Sequence, residues 1–204
     1  AGADIRGSNT LTLDSYLTIG DSDSLTLSGS VAIEVNNRVN IGGSCALTQN
    51  DSAFVNLDNL NSTDAANVFS LTMNSNSTAT ILGAQSGSAG FAAGSAFVLN
   101  GSSSLDSSIL SASEWYDHYL TNGITLQLND TASIQLQVSG NNAADLASYI
   151  AAGYILINGS SAVVAGEDYS YNTTNGVLQV LEQGEVEPAT LLFTEGGSQT
   201  NGFY

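Results

Sequence analysis

Residues 111–120, SASEWYDHYL, gather the side chains best suited to chemistry. The segment holds the chain's single tryptophan, Trp115, and its single histidine, His118, beside Glu114, Tyr116, Asp117 and Tyr119. Aromatic faces stack on pyranose rings, and carboxylates bind sugar hydroxyls or move protons. Trp115, Tyr116, Asp117, His118 and Tyr119 are therefore a candidate carbohydrate patch. The same letters also read as architecture. Ser111 and Glu114 have the spacing of a capping box, which predicts a short helix with Trp115 and Tyr119 one turn apart and packed inward.

A second group is acidic. Asp21 and Asp23 sit at a predicted turn, with Asp14 nearby and Asp51 in a later turn. Stacked turns could offer the several oxygens that calcium requires, although the spacing matches neither an EF-hand loop nor a glycine-rich nonapeptide. Aspartates that simply build solvated turns are the competing reading. Calcium is thus the one cofactor the sequence suggests, from Asp14, Asp21 and Asp23. Other chemistries fare worse. One histidine and one cysteine do not make a zinc set, and no GxSxG marks a serine nucleophile. A β-helical polysaccharide lyase uses basic side chains against a uronate, whereas this chain has two arginines and no lysine. No catalytic residue is expected, and the protein reads as a non-enzyme.

Charge narrows the partners. Arg6 and Arg38 are the whole basic complement, and the formal net charge is −17. Nucleic acid and anionic membrane surfaces demand the opposite sign. Cys45 falls among apolar residues and reads as a small buried hydrophobe. No apolar run is long enough to span a bilayer. The opening AGAD resembles a mature terminus left by signal-peptide cleavage, so an extracellular or cell-surface location is expected.

What must position these groups is a repeat. From Thr10 the chain reads TLTLDSYLTIGDSD, SLTLSGSVAIEVNN, RVNIGGSCALTQND and a partial SAFVNL. Cut every fourteen residues, it aligns Leu11, Leu25, Val39 and Ala53; Leu13, Leu27, Ile41 and Val55; Leu17, Val31 and Cys45; and Ile19, Ile33 and Leu47. Residues two apart share a face of a strand, so each unit is two short strands that cannot bury themselves alone. The predicted class is all-β, a β-solenoid with a 14-residue repeat; an antiparallel β-meander or sandwich is the alternative. Thr12 and Thr26 would stack outside, but Asn40 follows them, so no long threonine ladder is expected. Alternation resumes at Phe69–Met73, Ile124–Leu128 and Ile134–Val138, as longer turns of the same stack. We divide the chain into a repeat region, 1–140, and a C-terminal module, 141–204. In the latter, Asn142 reads as an N-cap, Leu146, Tyr149 and Ile150 recur at helical spacing, and Asn175-Gly176 marks a hairpin. A helix with strands would cap the open solenoid end.

The C-terminal stretch carries a resemblance. ADLASYIAAGYILING and YNTTNGVLQV resemble the segment preceding the sorting signal of exported bacterial PEP-CTERM proteins, and Glu187-Pro188-Ala189-Thr190-Leu191 resembles the end of their VPEPAT signature. Val186 stands in place of the first proline, and neither a span nor an arginine cluster follows. The Thr10–Leu57 repeat is similar to passenger repeats of autotransporter-like adhesins. Both resemblances imply an extracellular or cell-surface protein of a kind often linked to exopolysaccharide. The functional expectation is a structural surface or matrix protein or adhesin whose partners are itself or exopolysaccharide. Self-assembly would proceed by strand addition through Ala189, Thr190, Leu191, Leu192 and Phe193. A carbohydrate-binding or carbohydrate-active β-helix module is the rival.

Overall fold

In the computed structural model, which describes residues 2–57, 59–81, 83, 90–138 and 142–182, the chain coils with three strands to a rung. The first rung is β1 (Gly2–Gly7), β2 (Thr10–Leu13) and β3 (Tyr16–Ile19). The second is β4 (Ser24–Gly29), β5 (Ala32–Val35) and β6 (Arg38–Ile41), and the third β7 (Cys45–Gln49), β8 (Phe54–Asn56) and β9 (Leu60–Ser62). Next come β10 (Phe69–Met73) and β11 (Thr78–Thr80), then β12 (Ser95–Leu99) and β13 (Ser104–Ser107). Here the third side turns helical, as α1 (Ala112–Trp115) running into one π-helical turn, Tyr116–Leu120. β14 (Ile124–Leu128), β15 (Ser133–Leu136) and α2 (Asn142–Ala151) follow, then β16 (Ile155–Ile157) and a hairpin, β17 (Tyr169–Asn172) and β18 (Val177–Val180).

These strands stack into a seven-stranded face from β1 to β16, an eight-stranded face from β2 to β17, and a three-stranded face, β3-β6-β9. Pairing is parallel throughout the stack; only β15–β18 and β17–β18 are antiparallel. The solenoid expectation is correct, and among the described strands antiparallel pairing is confined to the terminal hairpin and its junction with β15. The helix-and-hairpin cap is present as well.

The rung length differs from the sequence reading. Leu25 lies beside Leu47, Leu47 beside Leu71, and Leu71 beside Phe97, Leu126 and Ile155 in turn. Successive corners are 22 residues apart in the lower rungs and 24, 26 and 29 higher up. Each side takes about a third of a rung, so a 14-residue step advances two sides of the triangle. Leu11, Leu25 and Val39 therefore lie on three different faces: Leu11 pairs with Ile33, Leu25 with Leu47, and Val39 with Leu17. The alternation was read correctly because it is local, whereas the stacking partner is not.

Inward columns are almost wholly apolar, with Leu27, Ile33, Val39, Leu47, Val55, Leu71 and Leu99 essentially sealed from solvent. Where helices replace strands the interior widens, and aromatic rings fill it. Phe97 meets Phe69 edge-on at 6.0 Å and Trp115 edge-on at 5.9 Å, while Trp115 and Tyr119 are 4.7 Å apart. The corners need left-handed backbone: Asp51, Ser75, Gly101 and Asp130 have φ of 59°, 60°, 66° and 58°. At Gly123, φ is +96° and an added Cβ would strike the Phe91 carbonyl oxygen. Phe97→Ala is expected to cost about 3–5 kcal/mol in a denaturant titration, the usual toll of a large aromatic cavity. Gly123→Ala, which adds only a methyl group, is expected to be destabilising as well, because the clash is with backbone.

Candidate functional site

The capping box forms: the Glu114 N–H donates to Ser111 Oγ, and the Ser111 N–H donates to Glu114 Oε2 at 2.7 Å. The Ser111 N–H and the Ser111 hydroxyl both donate to Glu114 Oε2, and these bonds hold the Glu114 carboxyl below the usual range. The helix they start turns two of the five patch residues inward. Trp115 is 2 % exposed; its Nε1–H donates to Ser107 Oγ at 2.6 Å, and Ser107 passes a hydrogen bond to the Ile81 carbonyl. Tyr119 is 1 % exposed and its hydroxyl donates to the Gly83 carbonyl. Neither ring offers a face to a sugar, which corrects the reading of Trp115 and Tyr119 as ligand-binding. Asp117 and His118 are exposed and Tyr116 is half-buried.

Outside, the helices assemble a patch that the sequence did not announce. Tyr116 stacks on Tyr149 of α2 at 4.5 Å with the rings 9° from parallel, and Tyr154 meets Tyr116 edge-on at 5.3 Å. A hydrogen bond with Tyr154 raises the Tyr116 phenol, with nearby Tyr149 and Asp117 adding to it. Burial raises Tyr149, helped by Asp145 and Asp117. Tyr149 recurs at helical spacing with Leu146 and Ile150, and nothing in the linear pattern joins it or Tyr154 to Tyr116. Asn142, expected as an N-cap, is instead the first residue of α2. Its Oδ1 accepts from the Ala112 N–H, and its Nδ2 donates to the Gln137 carbonyl and to the Tyr171 hydroxyl, tying α2 to α1 and to the hairpin.

The acidic turns serve the stack. Asp14 accepts from Asn36 Nδ2 at 2.8 Å, and Asp21 from the Ser44 N–H at 3.1 Å. Asp51 accepts from the Gly29 N–H and Asp130 from the Gly101 N–H, each bridging to the rung below. Asp14 lies at the corner between β2 and β3, whereas Asp21 and Asp23 lie at the next corner, so the three proposed calcium ligands are not one cluster. Among the described residues no group of three or more His, Cys, Asp or Glu side chains is placed to hold a metal ion. Cys45 is buried as expected, and its thiol is pushed up to about 11, by burial first and by Asp23 and Asp21 next.

Two ladders run up the first face. Thr26, Thr48 and Thr72 are aligned by register on its outer side and continue into Val98 and Gln127. At the adjoining corner, Asn74 donates to Asn50, Asn100 to Asn74, and Asn129 to Asn100, through amide bonds of 2.9, 2.8 and 2.7 Å. The expected break after Thr26 followed from the 14-residue cut, which placed Asn40 where Thr48 belongs. The segment Ala189–Phe193 lies outside the described residues.

No family model, curated protein or solved structure matches the chain. No helix among the described residues is long and apolar enough to cross a membrane.

Trp115 emission is expected at the short wavelengths of a buried indole, with little acrylamide quenching, and Trp115→Ala should lose about 3–5 kcal/mol of stability. Because the raised Cys45 pKa favours the protonated thiol in the folded state, that preference is intact below the ordinary thiol range. It is lost as pH rises through about 11. At pH 8 a thiol-reactive dye should label Cys45 slowly in the native protein and rapidly in denaturant.

Proposed function

We propose that this chain is a non-enzymatic structural protein of the cell exterior, a rigid segment of surface or matrix whose work is done by its length and its outer faces. The observation that carries the reading is the first face. From β4 to β14 its outward residues are Ser24, Thr26, Ser28, Ala46, Thr48, Ser70, Thr72, Ala96, Val98, Thr125 and Gln127, without a charge among them. Strands are short and fully paired in this region, which leaves little backbone for a protease to seize. The carboxylates of Asp21, Asp51 and Asp130 already accept backbone N–H groups from a neighbouring rung, which gives them an architectural task. The resemblance to exported PEP-CTERM proteins and to adhesin repeats agrees with this placement. The partners we propose are further copies of the chain or exopolysaccharide.

A carbohydrate-binding module is the second reading, and one feature favours it. Tyr116, Tyr149 and Tyr154 form a ring cluster at the surface, beside exposed Asp117 and His118. Stacking on such rings does not require Trp115.

Immunogold labelling of intact cells of the source organism tests the first reading: label is expected on the exterior, and label confined to the cytosol would reject it. A glycan array separates the two. The scaffold reading expects binding to be unchanged by Tyr149→Ala, whereas glycan binding that falls at least about tenfold with Tyr149→Ala and Tyr116→Ala would establish the module.

A further inference from the structure

Among the described residues, no strand continues the third face of the coil beyond β9. In the later rungs that side is helical, and α1 with its π-helical turn meets α2 through side chains. Asn142 accepts from the Ala112 N–H, and Tyr116 stacks on Tyr149. The first two faces tie every rung to the next by paired backbone, so this side is where a tie of another kind has most to add.

The stack has the geometry of a coupling pair. The Tyr116 and Tyr149 rings are 4.5 Å apart and 9° from parallel, and both are half-buried, within reach of a reagent in solution. Two phenoxyl radicals join through ring carbons ortho to the oxygen, by orbitals that project from the ring faces. Rings lying face to face hold those orbitals against each other before any reaction begins. Tyr154 approaches Tyr116 edge-on at 5.3 Å and offers a rim to a face instead. The surroundings also favour oxidation here. An electron taken from a phenol leaves positive charge on the ring, which negative neighbours stabilise. Asp117 acts on both phenols and Asp145 on that of Tyr149. The sulfur atoms and the indole that would compete for an oxidant, at Cys45, Met73 and Trp115, are buried.

We propose that Tyr116 and Tyr149 are a site of oxidative cross-linking, at which a haem peroxidase with hydrogen peroxide joins the two rings as dityrosine. Each phenol gives up its hydroxyl hydrogen as one electron and one proton. The two ortho carbons then form a C–C bond, and the hydrogen on each moves to its own oxygen to restore the phenol. The two electrons and two protons convert one peroxide into two waters, so the product is lighter by two hydrogen atoms. The new bond staples the third side of one rung to the third side of the next, between positions 33 residues apart. This site goes beyond the scaffold reading and does not depend on it, since the chemistry is the same wherever the chain resides.

Residues 1–204, dilute enough that copies seldom meet, are treated with a haem peroxidase and hydrogen peroxide. The expected product is a monomer lighter by two hydrogens, with dityrosine fluorescence and a linked peptide pair containing Tyr116 and Tyr149. Tyr116→Phe and Tyr149→Phe keep a ring in place but lack the phenolic hydrogen, and each is expected to cut the yield at least about tenfold. Tyr154→Phe is expected to keep the yield within about twofold. The linked protein is expected to melt at least about 5 °C higher, as for a loop of that length closed by a disulfide. A monomer of unchanged mass, links formed only between copies, linked peptides from other tyrosines in place of this pair, or full yield from either of the first two variants would overturn the site. A melting point that does not rise would overturn the staple.

Discussion

Parallel backbone pairing between successive rungs is the constraint from which the remaining structure follows. A strand held between two neighbours has its N–H and C=O groups satisfied in both directions, but only while the register is kept. Register in turn demands that inward positions of one rung lie over inward positions of the next, which is why leucine, isoleucine, valine and phenylalanine form continuous columns. A buried exception shows the rule. Gln49 occupies an inward position between Leu27 and Met73, and its Nε2 donates to the carbonyls of Ala53 and Thr78. It is retained where the corner backbone needs a donor.

Corners are where the coil is specified. Many of the bends use a residue in the left-handed region, supplied by glycine or by a short polar side chain that can bond locally. Asp51 and Asp130 combine both duties, bending the chain and capturing a glycine N–H one rung away. The acidity of the molecule is thus partly a by-product of how its bends are tied. The third side has more freedom. Strands β3, β6 and β9 give way to helices once the interior is wide enough for Phe69, Phe97, Trp115 and Tyr119, and the added residues accumulate there.

What could be read from the letters was what depends on near neighbours. Leu25-Thr26-Leu27 alternates and is a strand; Ser111 and Glu114 form their box; Cys45 is buried. What could not be read was which segment lies above which. The three sides resemble one another in composition, so a pattern cut every fourteen residues looks as orderly as one cut at the true rung. That cut hid Thr48 and Thr72 behind Asn40. The asparagine ladder was less accessible still, because its spacing grows from 24 to 29 residues up the stack and no fixed period collects it. Trp115 was undecidable from sequence alone: its side of the helix faces inward only because the third side of that rung has no strand. Tyr116, Tyr149 and Tyr154 meet where the π-helical turn lies against α2 and the residues that follow it, a contact that no periodicity encodes.

The ladder of Asn50, Asn74, Asn100 and Asn129 has a bearing on how such a gene changes. Its amides link head to tail whatever the length of the excursion between them, so the corner keeps count while the opposite side varies. Insertions and deletions on that side leave the alignment of later coils untouched. Duplication of one whole coil adds a further amide to the column and lengthens the rod by one strand spacing, roughly 4.8 Å. Lineages carrying this architecture are therefore expected to differ in whole-coil steps and in the length of the third side, and seldom at the asparagine corner.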